Sequence, residues 1–151
     1  LKHTKKIFGT VILSLIMVFS GSLANAELSV EDIIKSRKAL FSKNYSTAKR
    51  VQSFSSNGDF DKAIELMKEM NENYITLLDL FPENSKEGFK TEALPIIWEE
   101  KNAFNALMQK SADDMITLTS IIEDVDDIRG TLGKLMWANC KACHSKYRAP
   151  H

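Results

Sequence analysis

Apolar side chains recur at three- and four-residue intervals through most of the chain, and no segment alternates apolar with polar residues as a half-buried strand would. The stripe Val30, Ile33, Ile34, Arg37, Leu40, Phe41, Asn44, Ala48 and Val51 marks one face of a first helix, which Asn57 and Gly58 stop. Ser29, with Asp32 three residues on, makes a capping-box-like start. Asp59 is placed to cap a second helix. Its stripe, Phe60, Ala63, Ile64, Met67, Met70, Tyr74, Leu77, Leu78 and Phe81, ends at Pro82 because proline cannot continue the hydrogen-bond ladder.

The turn formers Pro82, Asn84, Ser85 and Gly88 predict a longer connection, and Pro95 suits the first turn of a third helix carrying Ile97, Phe104, Met108, Met115, Leu118 and Ile122. Carboxylates between Glu123 and Asp127 favour a fresh helix N-terminus, where the dipole stabilises negative charge. The fourth helix then sets Ile128, Leu132, Leu135, Met136, Asn139, Cys143 and Tyr147 on one face. The pattern predicts an all-α protein, an antiparallel four-helix bundle of the kind that houses cofactors in its core.

Residues 1–26 stand apart. Lysines at 2, 5 and 6 precede an apolar stretch of 13 residues from Ile7 to Phe19, and Ala24-Asn25-Ala26 offers small residues to a signal peptidase. The stretch is shorter than the roughly 20 residues of a spanning helix. This predicts a signal peptide over 1–26, cleavage after Ala26, and a mature domain over 27–151 with no membrane segment. Removal of the three lysines leaves 17 basic against 20 acidic residues, a net charge of minus three. No basic run interleaved with aromatics follows residue 26, so nucleic acid is not an expected partner.

The two cysteines carry the chemistry. They stand as Cys140-Lys141-Ala142-Cys143-His144, the C-x-x-C-H pattern of covalent haem attachment, here near the C-terminus of the last helix of an exported chain. Cysteines three apart face one side of a helix, where their thiols reach the two vinyl groups of one porphyrin, and His144 projects from the same side to put a ring nitrogen on the iron. A redox disulfide more usually opens a helix in a βαβ context. A zinc site needs a fourth ligand, whereas the mature chain has no further cysteine and only His151 as a second histidine. Arg37 interrupts the apolar stripe of the first helix, and a guanidinium on the core side calls for an anion; a haem propionate is one, and the alternative is a head group snorkelling to solvent. Trp98 and Phe104 are large aromatics that pack either at a haem edge or simply in the core, and Trp98 needs a hydrogen-bond partner if buried.

With the C-terminal motif followed by Tyr147-Arg148, the segment Glu31-Asp32-Ile33-Ile34-Lys35-Ser36-Arg37 and the Pro95-Ile96-Ile97-Trp98 start, the mature chain resembles the cytochrome c′ family. The resemblance implies a five-coordinate, high-spin haem c with His144 on the proximal side, Arg148 over that face beside the histidine, and Phe41 at the distal position above the open site. Phenylalanine has no donor atom and only blocks or shapes that site, and it departs from the family's more usual leucine. Nitric oxide and carbon monoxide are then the expected ligands. Dioxygen is expected to bind poorly: without a distal donor its polar adduct forgoes roughly 1.5–3 kcal/mol, or about ten- to a hundredfold in affinity. The other reading is a periplasmic electron carrier with a six-coordinate haem, one of Met67, Met70, Met108, Met115 and Met136 being the sixth ligand. Resemblance also implies a homodimer formed through the first two helices, and a periplasmic redox partner fits either reading. No acid–base pair is legible beyond the iron-bound histidine, so an enzyme is not expected.

Overall fold

The computed structural model describes residues 27–150; the predicted signal peptide lies outside them. The first helix, α1, runs Val30–Ser56. At its start the Ser29 hydroxyl accepts from the Asp32 N–H at 3.1 Å, the expected cap, and donates to the Asp32 carboxylate at 2.6 Å. At its end Gly58 takes φ +77°, and the Asp59 and Gly58 N–H groups donate back to Phe54 and Ser55 carbonyls at 2.9 and 3.2 Å. This pair of bonds satisfies carbonyls that the helix end would otherwise orphan.

The second helix, α2, spans Phe60–Leu78. Asp59 precedes it but does not cap it: its carboxylate pairs with Lys62 Nζ at 3.2 Å instead. Beyond Pro82 a short 3-10 turn, Glu83–Ser85, leads into a connection in which Gly88, Phe89 and Lys90 all have positive φ, at 88°, 50° and 55°. Two bulky residues in the left-handed region are strained, and surrounding contacts must hold them there. Lys38 Nζ donates to the Lys90 carbonyl at 2.8 Å, and Thr91 N–H closes back to Gly88 at 3.0 Å.

The single third helix expected from periodicity is broken into α3, Ile96–Glu99, and α4, Lys101–Ile121, by Glu100 at φ −113°, ψ 42°. Tethers on either side of Glu100 accompany the break. Trp98 Nε1 is held by the Phe81 and Pro82 carbonyls at 3.1 Å each, and Lys101 Nζ by Phe81 at 2.7 Å. The last helix opens as α5, Ile128–Leu132, with the Asp127 carboxylate accepting from Gly130 N–H at 2.8 Å. A Cβ on Gly130 would lie 2.1 Å from an oxygen of that carboxylate, so a larger residue there requires the Asp127 side chain to turn aside. A π-helical turn, Gly133–Trp137, joins it to α6, Ala138–Tyr147.

α2 packs against α1 and α4, α6 against α4, and α5 against α1, completing the antiparallel four-helix bundle with α3–α4 and α5–α6 as its third and fourth members. The predicted stripes meet in one core that includes Val51, Met67, Met70, Leu77, Phe104, Met115, Leu118, Leu132 and Met136. Among the described residues no helix is long and apolar enough to cross a membrane.

Candidate haem site

The bundle encloses a cavity of about 500 Å³ along α1, α4 and α6. One turn of α6 supplies its chemistry: Cys140, Cys143 and His144 all line it, from positions three and four apart on one helical face. The register of that turn is fixed from below. Asn139 donates to the Asp114 carboxylate at 2.7 Å and to the Leu135 carbonyl at 3.0 Å, and accepts from Lys110 at 3.4 Å, tying the motif to α4. Just upstream, the Ala138 N–H reaches back five residues to Gly133, the π turn that sets the motif's rotation on its helix.

Both cysteines are free thiols. Burial pushes the Cys140 thiol up, against the opposing hydrogen bond from Tyr74, and pushes Cys143 up to about 11. Burial likewise raises the Tyr74 phenol, so it stays a neutral donor to Cys140. These protonated thiols are the opposite of the low-pKa thiolate that a redox disulfide motif uses, and they suit addition of S–H across a vinyl group.

His144 is exposed at the cavity edge, and Arg148 Nη1 lies 3.5 Å from its Nε2. Arg148 reaches it differently from the helical spacing expected. It has left the helix at φ −118°, ψ 140° and is held by a short antiparallel bridge, Leu94 N–H to the Tyr147 carbonyl at 3.0 Å and Ala149 N–H to Glu92 at 2.8 Å. Its Nε also donates to the Glu92 carboxylate at 3.0 Å, so the loop after α2 orients the guanidinium beside the histidine.

On the facing helix, Phe41 lines the cavity and meets the Phe81 ring edge-on at 6.3 Å. Arg37, one turn earlier, is also in the wall yet only 2% exposed, which removes the snorkelling alternative. Within the protein, neutral groups hold it. Nη1 donates to Leu80 O at 3.2 Å and Ser85 Oγ at 2.9 Å, Nη2 to Ser85 O at 2.9 Å and Thr91 Oγ1 at 2.6 Å, and the guanidinium lies 4.7 Å from the Phe81 ring centre. Four charge-assisted bonds to neutral acceptors and an aromatic face offset the desolvation that lowers its pKa to about 10. Trp98 stands apart from these residues. It is absent from the cavity lining; its ring packs on Phe81 at 6.0 Å and its indole holds two carbonyls, so it supports the wall from behind.

Of the five candidate methionines only Met108 lines the cavity. Phe104 lines it as well, edge-on to Phe81 at 4.7 Å and to Tyr147 at 5.1 Å. Asn44, Tyr74, Phe81 and Ser111 complete much of the wall and were not singled out by sequence. Their signal was available in part: Asn44 and Tyr74 are polar groups on otherwise apolar stripes, as Arg37 is. Asn44 adds a polar group to the wall near Phe41, and its Nδ2 is buried without a hydrogen-bond partner among the described residues.

Two half-buried thiols and an imidazole on one helical face, beside a largely apolar cavity with a guanidinium in its wall, fit a covalently held haem; Cys140 and Cys143 would hold it and His144 would ligate its iron. A helical bundle of this construction is a c-type cytochrome. The chain belongs to the cytochrome c′ family, whose model, described as Cytochrome C′, matches residues 32–148, and it carries one covalent haem c. The chain is 31% identical over 121 residues to cytochrome c′ of Rhodopseudomonas palustris, covering 78% of this chain and 82% of that one. A solved structure of cytochrome c′ from the same organism superposes with a TM-score of 0.71 at 30% identity, covering 79% of this chain and 97% of the other. A nitric oxide complex of a variant cytochrome c′ from Alcaligenes xylosoxidans shares the fold, with a TM-score of 0.69 at 22% identity over 82% of this chain and 99% of that one.

Proposed function

We propose that the protein is an exported, periplasmic cytochrome that binds nitric oxide and carbon monoxide at a five-coordinate, high-spin haem iron and performs no turnover chemistry. The observation that carries this reading is Phe41 in the cavity wall on the helix facing the motif. It has no atom to offer the iron, and its contact with Phe81 seats it within a packed aromatic group. The haem supplies the gas-binding centre. Cys140 and Cys143 would anchor it, the Arg148–Glu92 pair fixes the neighbourhood of His144, and Phe41 contributes no ligating atom to the cavity. The nitric oxide complex of the Alcaligenes relative supports the ligand class.

The second reading, electron transfer through a six-coordinate haem, now rests on Met108, the candidate methionine in the wall. A redox partner in the periplasm is compatible with either state. We also infer a homodimer through α1 and α2, where Tyr45 and Ile75 are 56% and 41% exposed.

Titration of the reduced, haem-loaded protein with carbon monoxide and with nitric oxide tests the gas reading. Saturable binding of one gas molecule per chain is expected for each. A visible spectrum that neither gas perturbs would contradict it.

A further inference from the structure

The cavity wall holds one polar group that the bundle leaves unanswered. Asn44 stands on α1 three residues after Phe41, so both project from the same helical face, and both form part of the wall. Asn44 is 4% exposed. Its Oδ1 accepts from Asn73 Nδ2 at 2.9 Å, and its own Nδ2 is left buried with no partner among the described residues. Other buried polar groups of the wall are engaged. Tyr74 bonds Cys140, Ser111 donates to the Leu107 carbonyl at 2.8 Å, and Asn139 is tied to Asp114 and Leu135. A folded protein rarely keeps an unsatisfied amide in its interior unless something else meets it.

We propose that Asn44 Nδ2 donates a hydrogen bond to the outer atom of a diatomic gas bound in this cavity. The inference rests on the gas-binding reading above and deepens it, because it assigns a ligand preference to a named side chain. Phe41 alone makes an apolar site that is indifferent to ligand polarity. An amide donor beside it favours ligands whose outer atom carries partial negative charge and a lone pair, so nitric oxide and dioxygen gain more than carbon monoxide. The expected penalty against dioxygen is correspondingly reduced.

The test is the infrared C–O stretch of the carbon monoxide adduct of the haem-loaded, reduced protein. Asn44→Leu keeps the side-chain volume and deletes the donor; because it also strands Asn73, Asn44→Leu/Asn73→Leu is measured beside it, replacing the pair with apolar groups. The stretch is expected at higher frequency in both variants, and nitric oxide dissociation is expected to be about two- to tenfold faster, the equivalent of one hydrogen bond. In the parent protein, exchange into D2O is expected to displace the band, which needs no variant to fold. A band at the same frequency in parent and variants and unmoved by D2O would overturn the proposal while leaving gas binding intact; the amide would then be met by a trapped water or the haem edge. Failure of the parent to bind carbon monoxide would overturn both.

Discussion

Arg37 and Trp98 invert the roles that their residue types suggest. Arg37 lines the cavity wall and Trp98 does not, and both are fastened to the same stretch of chain after α2. Arg37 ties Leu80, Ser85 and Thr91 together, and Trp98 ties Phe81 and Pro82. The pair therefore holds the strained connection that brings Glu92 to Arg148. Trp98→Phe keeps most of the ring and removes the indole donor, while Lys101 still donates to the Phe81 carbonyl and Ser85 to that of Pro82. It is expected to cost about 0.5–1.5 kcal/mol in urea unfolding with the visible spectrum of the haem-loaded protein unchanged. A shifted spectrum at unchanged stability would return Trp98 to the haem edge.

Elements were legible wherever their limits are set by neighbours in sequence. The Ser29–Asp32 box opens α1, Gly58 turns the chain just beyond its end, Pro82 follows shortly after α2, and the acidic run ending at Asp127 opens α5. The break at Glu100 was not legible, because its anchors are carbonyls 17 and 20 residues earlier in the chain from Trp98 and Lys101, and periodicity on both sides continues unbroken. Nor was the π turn, which changes the ladder without changing which residues are apolar. The same division holds at the site. Cys140, Cys143 and His144 are local and were found as a motif, whereas Asn44 and Tyr74 acquire meaning only once α1, α2 and α6 enclose one space. Asp127→Ala tests the element scale: loss of its bond to Gly130 N–H is expected to lower stability by about 1 kcal/mol, read as a lower urea midpoint at constant slope. An unchanged midpoint would mean that the tertiary contacts of α5, and not its cap, set its start.

For the whole molecule, the bundle and the cofactor are one design. α6 is pinned to α4 through Asn139, to the α2–α3 connection through Tyr147 and Ala149, and to the core through Tyr147 packed on Phe104. Haem joined to this helix by two thioethers would therefore occupy the cavity whose wall Phe41 shares. Acidified acetone is expected to leave the haem on the polypeptide, with a mass equal to the chain plus one haem; haem extracted into the solvent would contradict covalent attachment at Cys140 and Cys143. The coordination state of the iron decides between gas binding and electron transfer, and the ultraviolet–visible spectra of the ferric and ferrous protein without added ligand report it most directly. Broad high-spin bands are expected in both states, because Phe41 offers no ligand. Sharp low-spin bands would contradict the account, require a sixth protein ligand, and direct attention to Met108.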